Sequence, residues 1–165
     1  MSRAFVKEGD GDDEVPALRI PSAETNYVTP RGLDLLRDKV KALVGLREQH
    51  QGRDDLSSQA TVREADRELA YYVERLRTAV PVEPVPNLTG QVRFGSRVET
   101  LDETGERLKV MLVGEDEADI HEGLISYVSP LARALMGAHV GDEVVWERPA
   151  GRRRLEITLV DGVSD

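Results

Sequence analysis

Two apolar runs in the first half of the chain constrain its fold more than any other feature. Leu33, Leu36, Val40 and Leu43 recur at intervals of three, four and three, the spacing that lines one side of a helix and forms the seam of a packed helix pair. Val62, Ala65, Leu69, Tyr72, Leu76 and Ala79 repeat the alternation after a polar break at Gly52-Arg53-Asp54-Asp55. In an antiparallel pair, facing residues have numbers with a constant total. Matching Leu43 with Ala65, Val40 with Leu69, Leu36 with Tyr72 and Leu33 with Leu76 gives 108 or 109 in every layer. Half of that total is about 54, which falls on the polar break. The two seams therefore locate the turn independently of its composition, and an antiparallel α-helical coiled-coil hairpin is expected over residues 27–79.

The same matching carried toward the turn sets Arg47 against Val62 and His50 against Ser58 or Gln59. The seam becomes polar in these last layers, so packing there is weakest. Thr29-Pro30 marks the start of the first helix, because a Thr hydroxyl caps and a proline in the first turn loses no needed N–H. Arms of this size, at 1.5 Å per residue, project on the order of 35 Å.

The flanking segments have other compositions. Residues 1–26 combine GDGDDE with Pro16 and Pro21 and are expected to form an acidic, flexible leader. Residues 80–87 carry three prolines and read as a linker that ends the helix. Residues 88–165 alternate short β-like runs with turns, beginning at Val92–Thr100, and include one short helix after Ser129-Pro130, so a small β-rich domain completes an α+β chain.

With 22 Lys and Arg against 31 Asp and Glu, the net charge is −9. Phosphate neutralisation drives most nucleic-acid binding, so direct groove readout is not expected and a protein partner with a basic surface is. No Cys is present, which excludes disulfides and thiolate sites. His50, His121 and His139 lack i,i+4 partners, so no metal site is expected. No apolar run suits a membrane span or signal peptide; no membrane association and a cytoplasmic location are expected. Asp54 and Asp55 read first as a helix cap. Arg63, Arg67 and Arg75, interleaved with acids, read as pairs on an exposed helix face. Asp116, Glu117 and Asp119 read as a solvated acidic loop.

Several stretches resemble the bacterial Gre transcript-cleavage and elongation factors. They are Gly90-Gln91-Val92-Arg93-Phe94-Gly95-Ser96-Arg97-Val98, Val113-Gly114-Glu115-Asp116-Glu117-Ala118-Asp119, the run Gly123 to Gly137 (GLISYVSPLARALMG), Val140-Gly141-Asp142 and Pro149-Ala150-Gly151. Tyr27-Val28-Thr29-Pro30-Arg31-Gly32-Leu33 and Arg63-Glu64-Ala65-Asp66-Arg67 are similar to the GreB branch, and Ser2-Arg3-Ala4-Phe5-Val6-Lys7-Glu8 to a leader of some members.

The resemblance implies an FKBP-like C-terminal domain that docks on bacterial RNA polymerase, with Val128, Ser129, Pro130 and Arg133 as candidate contacts. It also implies a hairpin that enters the polymerase's secondary channel, where transcript nucleic acid is met only indirectly. In cleaving members the tip carries D-x-x-E-N-A-D-Y, whose acids help hold a second Mg²⁺ for RNA hydrolysis by the polymerase. Here the segment reads Asp55-Leu56-Ser57-Ser58-Gln59-Ala60-Thr61-Val62, with Ser58 in place of the Glu, and a hydroxyl is a poor ligand for a hard cation beside a carboxylate. The arms are also shorter than in that branch by about seven or eight residues each, which withdraws the tip by roughly 11 Å.

The expected protein is therefore a monomeric, non-enzymatic elongation regulator without cleavage stimulation and without a resident cofactor. An active cleavage factor using Asp54, Asp55 and a weak Mg²⁺ at the tip, formed only with polymerase, is the alternative. A coiled-coil adaptor is a further one.

Overall fold

The computed structural model describes residues 19–164. The expected leader lies largely outside these residues; its last part, 19–26, is within them. A two-residue strand, β1 (Tyr27–Val28), leads into helix α1 (Pro30–His50), and a short turn connects α1 to helix α2 (Leu56–Thr78). Thr29 caps α1 by accepting from the Gly32 N–H, with Pro30 in the first turn. Asp55 caps α2 by accepting from the Ser58 N–H. Gly52, at φ 81°, supplies the left-handed residue that a side chain would resist.

The helices pack along the seam named by the sequence. Leu36, Leu43 and Ala65 are buried, and Leu33, Val40, Val62, Leu69, Tyr72 and Leu76 are half-buried. His50 Nδ1 lies 3.0 Å from Ser58 Oγ, the outermost layer of that register. Lys39 Nζ crosses to Glu68 at 3.3 Å. At 21 and 23 residues, the arms run about 32–35 Å.

After α2 the linker does not leave the hairpin directly. Val80–Pro81 forms strand β2, paired in parallel with β1. The Val80 and Val82 N–H groups donate to the Asn26 and Val28 carbonyls at 2.8 and 2.9 Å. Pro81 sits between them, where no donor is required. The linker thus begins as part of the hairpin's foot.

The second half builds one six-stranded sheet from β3 (Arg97–Asp102), β4 (Arg107–Val113), β5 (Leu124–Ser126), β6 (Glu143–Trp146), β7 (Arg153–Val160) and β8 (Val163–Ser164), with helix α3 (Pro130–Leu135) between β5 and β6 in the chain. The order is β5-β4-β3-β7-β6, with β8 also on β7. Only β4 and β5 are parallel. Alternate residues of β3, β4 and β7 face Leu131, Ala132 and Leu135 of α3, and Val98, Leu112, Leu155, Ile157 and Val160 close a core of aliphatic side chains.

The strand expected from Val92 instead begins at Arg97. Gly95 at φ 85° turns the chain, and the Ser96 hydroxyl accepts from the Arg93 N–H at 3.0 Å. Val92 is buried as a plug, its backbone paired with Ala138 and Gly137. No helix among the described residues is long and apolar enough to cross a membrane.

The seam gives a direct test. Leu36 is 2% exposed, and truncating such a leucine costs about 2–5 kcal/mol. Leu36→Asp buries an unpaired charge as well and is expected to unfold the hairpin, read as loss of helical circular dichroism with the sheet signal retained.

Candidate functional site

Three regions can carry function: the tip, the start of α3, and the joint between hairpin and sheet. At the tip, Asp55 is committed to its helix. Its Oδ1 accepts from the Ser58 N–H at 2.8 Å, and that bond holds its carboxyl below the usual carboxylate range. Asp54 is exposed, and its carbonyl accepts from Gln59 Nε2 at 3.3 Å. Ser58 points away from the tip. It is 3% exposed, and its hydroxyl meets His50 in the gap between helices. Leu56 is 81% exposed at the apex. Among the described residues no group of three or more His, Cys, Asp or Glu stands where it could hold a metal ion.

At α3 the Ser129 hydroxyl caps the helix by accepting from the Ala132 N–H at 3.3 Å. The Ser126 hydroxyl accepts from the Val128 N–H, and the Ser126 carbonyl from the Ser129 N–H. Arg133 folds back, donating from Nε to the Val128 carbonyl at 2.8 Å. Val128, Ser129, Pro130 and Arg133 therefore form one small knuckle, with Pro130 and Arg133 outward.

The joint contains residues that sequence reading placed elsewhere. After β4, Gly114 opens a tight turn closed by the Glu117 N–H on the Gly114 carbonyl at 3.2 Å. The β1 backbone crosses directly over it: a Cβ on Gly114 would lie 2.6 Å from the Tyr27 carbonyl oxygen, so only glycine fits. The turn aims three carboxylates at the hairpin.

Asp116 accepts from Arg75 Nε at 2.5 Å and from the Tyr71 hydroxyl at 2.6 Å, and Glu115 meets the same guanidinium at 3.3 Å. Glu117, 3% exposed, accepts from the Thr29 hydroxyl at 2.5 Å and meets Arg31 at 3.4 Å. Its charge sits at the N-terminal end of α1, where the helix dipole favours it. Burial, with the bond to Asp116, pushes the Tyr71 hydroxyl up to about 12.

Asp116 and Glu117 of the acidic loop are therefore drawn into the joint rather than solvated, while Asp119 stays exposed, and Arg75, at 2% exposure, leaves the exposed face for an ion pair in the joint. The one available signal was spacing. Tyr71 and Arg75 stand four apart and share a helix face, beside the seam rather than in it.

The C-terminal part of the chain, residues 86–161, matches the family model described as transcription elongation factor GreA/GreB, C-terminal. The chain is 38% identical over 160 residues to transcription elongation factor GreB of Neisseria meningitidis serogroup B, covering 87% of this chain and 98% of that protein. The chain belongs to the GreA/GreB family of transcription elongation factors. GreA of a Jannaschia species is 32% identical over 152 residues, covering 82% of this chain and 97% of that one. Among solved structures, Thermus aquaticus Gfh1 is similar at 26% identity and a TM-score of 0.42, covering 83% of this chain and 99% of that one.

In this Gre-family chain the joint is open to measurement. Arg75→Ala leaves Asp116 buried without its cation, which costs about 3–5 kcal/mol where a buried pair is broken on one side. The expected result is faster hydrogen exchange across the α2 foot and the 114–117 turn. Arg77→Ala, which removes an exposed pair with Glu74, is expected to leave both unchanged.

Proposed function

We propose that this chain regulates elongation by binding bacterial RNA polymerase through the α3 knuckle and placing its hairpin in the secondary channel, without stimulating transcript cleavage. In this reading the hairpin is a short antiparallel coiled coil and the sheet with α3 is an FKBP-like docking module. The factor acts as a monomer in the cytoplasm, with no resident cofactor and no catalysis of its own. Occupying the channel alters pausing and nucleotide access, and excludes cleaving Gre factors.

The observation that carries the proposal is the position of Ser58. Where the cleaving motif has a glutamate, this chain has a hydroxyl turned inward onto His50. Of the two remaining acids, Asp55 holds the helix cap, so Asp54 alone is uncommitted. A hard cation bound through two or more protein oxygens needs them converging at about 2.0–2.6 Å, and one free carboxylate supplies only part of that.

Chain length supports the same reading. The match to GreB extends over 160 residues of alignment yet takes in only 87% of this 165-residue chain. The alignment therefore passes positions that this chain lacks, and shortened arms would account for them. The surviving acids are what a cleaving role would use, and the assay distinguishes the two.

Added to a backtracked elongation complex, the full chain is expected to leave RNA cleavage at the polymerase's intrinsic rate and to slow cleavage driven by an active Gre factor in a dose-dependent way. Cleavage above the intrinsic rate that disappears with Asp54→Ala or Asp55→Ala would contradict the proposal.

A further inference from the structure

Residues 19–26 cross the joint as a strap fastened at both ends to α2. At one end the Asn26 side-chain amide donates to the Arg75 carbonyl at 2.7 Å, and Asn26 is buried. At the other, the Arg19 guanidinium lies 4.4 Å over the Tyr71 ring and donates to the Tyr72 hydroxyl at 2.8 Å. Between these anchors the strap turns to the sheet domain. Ser22 donates to Glu115 at 2.7 Å, the Thr25 carbonyl accepts from the Tyr127 hydroxyl, and Glu24 pairs with Arg133 at 3.0 Å.

Arg133 is the one basic residue of α3. Its Nε donates to the Val128 carbonyl and its Nη2 to Glu24, so the guanidinium is held in one orientation and either fork that a carboxylate can make with it must use the nitrogen Glu24 already engages. Pro130 and Met136, three residues to either side, are exposed beside it. The surface is a pre-oriented cation between two apolar shoulders, a fit for a carboxylate on an acidic protein segment.

We infer that Glu24 is an internal stand-in for that carboxylate, so that the strap competes with an acidic segment of the polymerase for Arg133. The inference rests on the docking reading proposed above and adds its partner chemistry and its regulation. An exposed ion pair alone is weak. Here the two anchors keep Glu24 at a high effective concentration beside Arg133, and an incoming carboxylate competes with it for Nη2. Arg133 is the only cation on α3, so no second one there can substitute.

The test is the affinity of the full chain for purified core RNA polymerase, measured for the wild type, Glu24→Gln, Arg133→Gln and the double variant at low and high salt. Glu24→Gln is expected to tighten binding by about two- to five-fold at low salt, the span of an exposed pair, with the gain shrinking at high salt. Arg133→Gln is expected to weaken binding and to abolish the gain in the double variant. Unchanged or weaker binding by Glu24→Gln, or a gain that survives Arg133→Gln, overturns the inference while leaving docking intact. A wild-type chain that does not bind, or an Arg133→Gln chain that binds equally well, removes docking at this residue and the inference with it.

Discussion

A projecting helix pair can act at a distance only if its base is held at a fixed angle, and here that constraint rests on one turn. Gly114 lets the β1 backbone pass close above it, and the three residues that follow send carboxylates into the hairpin. Asp116 and Glu115 take the α2 guanidinium at Arg75, and Glu117 takes the start of α1 at Thr29 and Arg31. Each arm is thereby gripped at its own foot. The parallel pairing of β1 with β2 ties the two feet to each other. Buried carboxylates are costly unless paired and hydrogen-bonded, and all four carboxylate oxygens of Asp116 and Glu117 meet a donor, so the geometry is over-determined.

At the far end the chemistry is reversed. The base concentrates charge, whereas the apex commits one of its two acids, Asp55, to structure. Asp55 caps α2 through the Ser58 N–H, Ser58 turns its hydroxyl inward to His50, and Leu56 is 81% exposed at the tip. The tip is thus held by its own cap and poor in free oxygen ligands. Family membership explains the frame, and these few positions account for the proposed difference in what the frame does.

The hairpin was legible because its information is local and periodic. Two seams fix a register, and the layer that pairs His50 with Ser58 follows from their arithmetic without any knowledge of the sheet. The caps at Thr29, Asp55 and Ser129 were legible for a similar reason, since each lies within three residues of the N–H it satisfies. The start of β3 was not. Val92 to Thr100 has strand composition, but Gly95 and the Ser96 hydroxyl turn the chain before pairing begins.

The joint was hidden by distance in sequence. Asp116 stands 41 residues from Arg75, and nothing in an acidic run announces that its partner is a helical arginine. The strap was hidden too, because its composition matches an unstructured leader while its anchors are single contacts to Tyr71, Tyr72, Arg75 and Arg133. Local rules read out elements and caps; the contacts that aim them at one another are visible only after folding.

The central claim is that this rod reaches into the polymerase without delivering a ligand to the reacting metal. A structure of the full chain bound to a backtracked elongation complex tests it most directly, through the separation between the tip carboxylates and the catalytic Mg²⁺. The account predicts an ordered hairpin in the channel with no oxygen of Asp54 or Asp55 in the metal's coordination sphere. Either carboxylate at the roughly 2.0–2.1 Å of a Mg²⁺–oxygen bond would contradict it.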